Sequence, residues 1–180
     1  MKISALFKGM NPNHITQGFT LKNHEANDIA SYYGTPLVAP FNCKVVNVVS
    51  TTQIDNGWEL ERGYGIRIQS TEDPTLSMSI WHCQPFFPIE IGDNVFQGTV
   101  IAFMGNSGFV LSGGQVVPVD IRTVPPFKGT HAHVTIGHTV NEVYTPSDYS
   151  KLIDYLMPIN YDLRTSIMAT LNKITNFLKK

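Results

Sequence analysis

The sequence predicts a mainly β fold with antiparallel β-sheets, followed by C-terminal α-helices. Up to about residue 140, short apolar runs alternate with polar residues at the two-residue period of β-strands. The 14 glycines and 11 prolines are spread along the chain, as many short strands and tight turns require. Further along, apolar residues instead recur at helical spacing. We therefore expect a β domain over residues 1–144 and a helical extension over residues 145–180.

The composition argues against several classes of protein. The chain has 180 residues, of which 42% are hydrophobic, which suits one domain with its own core. A formal net charge of -1 argues against nucleic-acid binding, which normally needs a basic face. No apolar run approaches the roughly 20 residues of a membrane-spanning helix. The first residues also lack the apolar core of about 7–15 residues that a signal peptide needs. We expect no membrane span and no signal peptide.

Individual strands can be placed along residues 36–140. The runs "GYGIRIQS" and "LSMSIWHC" alternate like neighbouring strands, and a further strand is predicted over His131–Ile136. Cys43 and Cys83 form neither a metal-ligand pair nor a disulfide framework, so we expect both in the core. The glycine- and proline-rich segment Phe109–Lys128 is predicted to be a long loop with a short strand around Gln115–Val119. Loops of that length in a compact domain are often functional.

The C-terminal region is predicted to be helical. A helix is expected to start at Thr145–Pro146, because proline favours the first turn of a helix. A second helix follows Pro158. Its apolar residues share one face: Ile167, Leu171, Ile174 and Leu178. This face either packs on the β domain or docks on a partner subunit or larger assembly.

The stretch "THAHVTI" carries two histidines one residue apart. Because side chains alternate along a strand, His131 and His133 share one face, together with Thr135. The opposite face, formed by alanine, valine and isoleucine, is apolar and is expected in the core. The two histidines alone fit either a metal site or a polar, solvent-exposed sheet surface.

Two other segments offer partners for these histidines. His24 and Asp28 stand four residues apart, on one face if the segment is a helix, but the surrounding turn formers suit a loop equally well. A histidine, a carboxylate and a distant second histidine form a three-ligand zinc site with an open fourth position, which is the catalytic pattern. Alternatively, Asp28 caps a turn and His24 is a surface residue. His82, at the end of a strand, is either part of the site or a partly buried histidine satisfied by the backbone.

The order of these segments points to one family. "ITQGF" precedes His24 and Asp28, and "GTPLVAPFNCKVVNV", "GYGIRI", "SIWHC", "IEIGDNVFQGTVIAFMGNSG" and "THAHVTIG" follow. This series, over about residues 15–137, resembles the lysostaphin-type (M23, LytM-like) zinc metallopeptidase family. Ala26 and Trp81 stand where the family commonly has glycine, and the segment between "GNSG" and "THAH" is longer than usual. None of these departures removes a ligand.

The resemblance implies that the antiparallel β-sheets form a groove, and it implies a function and a role for each site residue. It implies that His24, Asp28 and His133 bind Zn²⁺, while His82 and His131 are catalytic. The chain would then be a zinc metalloendopeptidase that hydrolyses peptide cross-links of bacterial peptidoglycan. The Phe109–Lys128 loop would either wall the cleft and select the substrate or be an insertion without such a role.

Without a signal peptide, such an enzyme needs another route to the wall. We expect it to be associated with a phage tail or a related virion particle, with residues 145–180 docking on particle proteins. Two alternatives remain: a catalytically silent structural tail module, or a carrier-like β domain, since "IGDNVFQGTVIAFMGN" resembles a carrier hairpin. A carrier needs a modifiable lysine at the hairpin tip, and none lies between Gly92 and Gly108. A phosphocarrier would use paired histidines without zinc.

Overall fold

The computed structural model describes residues 3–50, 54–55, 58–59, 62–122 and 124–157, and its architecture is mainly β, as predicted. The strands are β1 (Ile3–Ser4), β2 (Ile15–Gln17), β3 (Asn27–Ile29), β4 (Pro36–Val38), β5 (Cys43–Val49), β6 (Ile54–Asp55), β7 (Trp58–Glu59), β8 (Tyr64–Ser70), β9 (Leu76–Cys83), β10 (Asn94–Val95), β11 (Val100–Phe103), β12 (Leu111–Ser112), β13 (Gln115–Val116), β14 (Ala132–Val140), β15 (Val143–Ser147) and β16 (Ile153–Asp154). The helices are α1 (Val119–Arg122), α2 (Tyr149–Leu152) and a 3-10 helix (Pro12–His14). Within these described residues, no helix is long and apolar enough to cross a membrane.

A central antiparallel sheet contains eight of the sixteen described strands. Its order is β10-β5-β8-β9-β14-β3-β2, and β15 pairs with β14 as well. β8 and β9 are neighbours, as their alternating sequences predicted, with Ile66 opposite Ile80. β14 is the longest strand, and its first residues pair with β3 while its later residues pair with β15. β14 therefore brings distant parts of the chain to one place.

The core lies on one face of this sheet. On β14, Ala132, Val134 and Ile136 are buried, whereas His133 on the opposite face is partly exposed, as the alternation predicted. The small antiparallel sheet of β4 and β11 contributes residues to the same core. Cys43 and Cys83 are buried free thiols, as expected, and burial raises the pKa of the Cys43 thiol to about 12.

The beginning of the chain and residues 143–154 pack together on the β domain. β1 runs parallel to β16, with Ile3 opposite Ile153. Tyr149 is fully buried, and its backbone N–H donates to the side-chain oxygen of Asn27 over 3.0 Å. These contacts tie the segment that follows β14 to the strands before it.

The predicted helix start at Thr145–Pro146 is wrong, because both residues lie in β15. There they stand opposite His138 and Gly137 of β14. Pairing with β14 outweighs the local preference of proline for a first helical turn. α2 begins only after Asp148, whose side chain accepts from the backbone N–H of Ser150 over 3.1 Å. The second predicted helix, after Pro158, lies outside the described residues, and a separate extension after residue 144 stays a prediction.

The Phe109–Lys128 segment has more internal structure than predicted. The predicted short strand is present as β13, paired with β12 in a hairpin, and α1 follows. Arg122 of α1 is buried and donates from Nε to the carbonyl of Val117 over 2.9 Å and from Nη1 to the carbonyl of Gly108. Asn106 donates to the carbonyls of Arg122 and Lys128 over 3.0 and 2.9 Å. Side-chain-to-backbone hydrogen bonds thus hold the segment in a folded conformation.

Candidate metal centre and cleft

The pairing of β3 with β14 brings Asp28 and His133 together. The two residues are directly opposite each other in the antiparallel register. Their side chains lie on the same face of the sheet, and Nδ1 of His133 is 2.9 Å from Oδ1 of Asp28. A contact between positions so far apart in sequence follows from sheet register and not from a local motif.

A turn, and not a helix, places His24 beside this pair. The backbone groups of Thr20 and His24 exchange two hydrogen bonds, of 2.8 and 3.1 Å, and close the turn. Nε2 of His24 then lies 3.3 Å from Oδ1 of Asp28. Nδ1 of His24 is 3.2 Å from the carbonyl oxygen of Gly18. If Nδ1–H donates to that carbonyl, Nε2 keeps its lone pair for a metal, which is the usual second contact of a metal-binding histidine.

The donor set of His24, Asp28 and His133 fits a zinc ion. One ligand atom from each residue lies within 4.8 Å of the other two. Tetrahedral zinc bonds of about 2.0–2.2 Å separate neighbouring ligand atoms by roughly 3.4 Å. In the structure, Oδ1 of Asp28 lies 2.9 Å from Nδ1 of His133 and 3.3 Å from Nε2 of His24. Two imidazole nitrogens and a carboxylate are also the ligand types that zinc prefers in catalytic sites.

The electrostatics of Asp28 favour its anionic form. Burial of the carboxyl group opposes ionisation, but the hydrogen bond with His133 and the charges of His131, His133 and His24 outweigh it. The pKa of Asp28 is therefore lowered from its ordinary value. An ionised carboxylate is the form that binds a metal.

His82 lies deep beside these three residues. It is 6% exposed, and its ring centroid is 4.6 Å from that of His131. Its backbone φ is +61°, in the left-handed region, which re-aims the side chain at the end of β9. Nδ1 lies 2.6 Å from the carbonyl oxygen of Ser107. Burial lowers the pKa of His82 to about 3, with a smaller contribution from His131, so the ring is neutral at neutral pH.

His131 lies immediately before β14 and is fixed by backbone groups. Its N–H donates to the carbonyl of Gly105 over 3.2 Å, and Nδ1 lies 2.8 Å from the carbonyl oxygen of Gly129. Nε2 is 3.9 Å from Oδ2 of Asp28. His131 therefore shares the site with His133, as their spacing predicted, but its ring is held by a different set of contacts.

A cleft of about 1320 Å³ opens over these five side chains. Its floor includes His24, Asp28, His82, His131 and His133. The Phe109–Lys128 segment contributes a wall that runs from Phe109 to Gly114. The structure thus places this predicted loop against the cleft.

Sequence analysis missed the groups that surround and orient His82 in the candidate site. The Ser107 carbonyl faces His82, and the Ser107 hydroxyl both donates to the carbonyl of Cys83 over 2.8 Å and accepts from the N–H of Tyr64 over 2.9 Å. Gly63, with φ at +65°, leaves the space that Ser107 needs, because a Cβ there would lie 2.4 Å from Ser107 carbon. The only sequence signal was the turn motif "GNSG".

The two histidines left out of the predicted site lie elsewhere. His14 packs its ring against Phe7, at a centroid separation of 5.2 Å. His138 contacts Thr75 and Asp73, with Nδ1 3.5 Å from an Asp73 carboxylate oxygen. Neither residue lines the cleft.

Comparison with known proteins gives a family match and several structural neighbours. The profile of peptidase family M23 matches residues 22–143, whereas no curated protein sequence gives a match. LytU is 22% identical with a TM-score of 0.52, over 81% of this chain and 87% of that one. A zinc containing peptidase from Vibrio cholerae is 17% identical with a TM-score of 0.56; the alignment covers 82% of this chain but only 39% of that one. The catalytic domain of lysostaphin from Staphylococcus simulans is 16% identical with a TM-score of 0.50, over 83% and 90% of the two chains.

Proposed function

The chain belongs to peptidase family M23, and we propose that it is a zinc-dependent endopeptidase that hydrolyses peptide cross-links of bacterial peptidoglycan. The observation that carries this proposal is the convergence of His24, Asp28 and His133 in a cleft that also contains His82 and His131. A set of two imidazoles and one carboxylate suits catalytic zinc, and the open cleft suits an extended peptide.

We assign His24, Asp28 and His133 as the metal ligands. Zinc held by these residues would supply a Lewis acid that polarises the peptide carbonyl and activates water. The contact of His24 with the Gly18 carbonyl orients one ligand ring. The lowered pKa of Asp28 keeps the carboxylate ionised and able to bind metal.

His82 and His131 are the candidates for catalytic groups. With Nδ1 on the Ser107 carbonyl, His82 turns Nε2 toward the cleft, where a neutral ring can orient a water molecule by accepting its hydrogen bond. His131, with Nδ1 on the Gly129 carbonyl, presents Nε2 beside Asp28, within reach of the reacting peptide group. Proton transfer to the leaving amine and stabilisation of the developing negative charge are the tasks that remain for this pair.

The experiment combines zinc content with release of peptides from purified cell walls. The native chain is compared with Asp28→Ala, His131→Ala and the matched control His138→Ala, whose histidine lies outside the cleft. We expect Asp28→Ala to lose zinc and activity, His131→Ala to lose activity but keep zinc, and His138→Ala to keep both. Full wall hydrolysis by Asp28→Ala and His131→Ala would overturn the proposed mechanism.

The Phe109–Lys128 segment is proposed to select the substrate. Its hairpin walls the cleft, and buried Arg122 holds its base in place. Replacement of residues 109–118 by a short glycine linker should change which wall peptides are released. An unchanged pattern of released peptides would show that the segment is an insertion without a role in specificity.

Association with a phage tail or a related virion particle is a separate proposal. The apolar stripe of Ile167, Leu171, Ile174 and Leu178 in the sequence supports a docking role for the C-terminal region. If this is right, the protein is present in purified particles, and truncation after residue 157 prevents its incorporation. Its absence from particles, or incorporation without residues 158–180, would contradict the proposal.

Two alternative functions predict different results in the same assays. A silent structural module predicts bound zinc without peptide release by the native chain. A carrier-like domain predicts no bound zinc after purification without chelator. The proximity of the three ligand atoms favours a metal centre over a carrier.

A further inference from the structure

A second cavity, of about 520 Å³, adjoins the candidate metal centre. His24, His133 and Arg62 line both this cavity and the main cleft, so the two spaces meet at the metal-binding side chains. On the proposed function, a peptide whose cleaved bond lies at the metal centre extends into both. The second cavity then receives residues on one side of that bond.

Two guanidinium groups, those of Arg62 and Arg67, line this second cavity and make it positively charged. Arg62 lies over the ring of Trp81, with its guanidinium carbon 5.7 Å from the ring centroid. Arg67 donates from Nη2 to the hydroxyl of Ser77 over 3.4 Å. Gly65 leaves room for the Trp81 ring, since a Cβ there would lie 2.3 Å from a ring carbon. Both arginines are exposed and therefore accessible to a ligand in the cavity.

Neither guanidinium forms an ion pair with a carboxylate whose side chain the structure describes, which leaves aside residues 51–61. Glu25 is the one acidic residue among the described side chains that line the cavity, and no ion pair there joins it to either arginine. With two positive groups and one negative group, the cavity carries a net positive charge when its histidines are neutral.

Tyr144 also lines the second cavity. Its ring lies against Gly137 of β14, where a Cβ would be 2.8 Å from two ring carbons. Tyr144 also makes a side-chain hydrogen bond with Thr135. The cavity therefore combines fixed hydrogen-bonding groups with two cations. By contrast, the wall of the main cleft offers Phe109, Leu111 and a pair of glycines.

We propose that the second cavity binds a free carboxylate of the substrate peptide, with Arg62 and Arg67 as the specificity-determining residues. A planar guanidinium can donate two parallel hydrogen bonds to a carboxylate, which gives both orientation and charge complementarity. The wall substrate would accordingly carry an acidic group beside the cleaved bond. This inference rests on the proposed function and adds the chemical class of the residue next to that bond.

The test compares purified cell walls with walls whose carboxylates have been converted to amides. The zinc-loaded native chain is expected to cleave native walls about tenfold faster in kcat/KM than amidated walls, mainly through KM. Arg67→Ala should lose a similar factor on native walls and show little further loss on amidated walls. Arg67→Lys should recover part of the lost kcat/KM, because lysine keeps the positive charge but lacks the paired N–H donors of a guanidinium. Lys44→Ala removes an exposed charge from a residue that lines neither cavity and should behave as the native chain.

Two synthetic forms of an uncleaved wall peptide that contains the cleaved bond then distinguish the source of the carboxylate. One is amidated at its acidic side chain and the other at its C-terminus, and only the form that lacks the recognised group should be a poor substrate. Equal cleavage of native and amidated walls by the native chain, or an unchanged preference in Arg67→Ala and Arg62→Ala, would overturn this inference. Absence of cleavage of every wall by the zinc-loaded native chain would instead overturn the proposed function.

Discussion

His133 and Asp28 face each other across adjacent antiparallel strands, with Nδ1 of the histidine 2.9 Å from Oδ1 of the aspartate. The register of β3 against β14 therefore sets the separation of two candidate metal ligands. A slip of one residue in this register would turn one side chain to the opposite face of the sheet. Backbone pairing in the sheet thus fixes the relative position of these two candidate ligands.

Replacement of Asp28 by asparagine tests the charge of this ligand. Asp28→Asn keeps the size of the side chain but removes the anion, so we expect zinc affinity to fall by about 100-fold or more. Competition with a chromophoric chelator measures the change. Asp73→Asn is the matched control, because Asp73 also lies beside a histidine, His138, but away from the cleft. Equal affinity of Asp28→Asn and the native chain would exclude Asp28 as a ligand.

His82 predicts a specific pH dependence of stability in the metal-free protein. Its pKa of about 3 in the folded state lies below the ordinary value of 6.5. Between these values the unfolded chain binds more protons at residue 82, so the free energy of unfolding falls as the pH is lowered. The contribution is at most about 1.4 kcal/mol per pH unit. Urea unfolding at several pH values, in the presence of a chelator, measures it.

The variant His82→Asn tests whether His82 causes this pH dependence of stability. Asparagine tolerates the φ of +61° and can still donate to the Ser107 carbonyl, but it does not titrate. The pH dependence between about pH 4 and 6.5 should therefore be weaker in the variant. A dependence as steep as that of the native chain would assign the effect to other groups.

Gly63→Ala should destabilise the fold by about 3 kcal/mol or more. The added Cβ would lie 2.4 Å from backbone atoms of Ser107 and Gly108, at a φ of +65°. Because Ser107 accepts the His82 hydrogen bond, peptidase activity should fall with stability. Gly9→Ala is the control, since Gly9 also has a positive φ but nothing within 4 Å of its added Cβ. Equal losses of stability in the two variants would show that backbone strain alone is responsible.

Arg122→Met should loosen the loop that walls the cleft. The substitution removes buried donors to the carbonyls of Val117 and Gly108 and should cost about 2–3 kcal/mol. We expect faster limited proteolysis within residues 109–122 and a raised KM, with zinc content unchanged. Lys128→Met, at an exposed position, is the control. Native-like proteolysis of Arg122→Met would mean that the hairpin is held by other contacts.

Local periodicity accounted for much of the fold and for the two histidines that share a face at the start of β14. The alternation of Ala132, Val134 and Ile136 with His133 follows directly from strand geometry. The family resemblance, which the profile match confirms, brought His24, Asp28 and His82 into one hypothesis. Residue spacing alone fitted other roles equally well: Asp28 as the cap of a turn, His24 as a surface residue, and His82 as a partly buried histidine satisfied by the backbone.

Long-range pairing accounts for what sequence reasoning missed. Thr145–Pro146 has the local features of a helix start, but hydrogen bonding to β14 holds it in a strand. The Ser107 carbonyl, the space at Gly63 and the buried Arg122 depend on contacts between segments distant in the chain. Every residue has a backbone carbonyl, so no sequence motif identifies the Ser107 carbonyl as the group that orients His82.

The parallel pairing of β1 with β16 has a consequence for how the domain can be connected to other proteins. Ile3 and Ile153 are partners in that pair, and neighbouring strands lie only about 5 Å apart. The first and the last of the described strands thus lie side by side. A unit of residues 3–157 could accordingly be inserted into a surface loop of another domain with two short linkers, or circularly permuted by joining its two ends, without separating the strands that carry the candidate metal ligands.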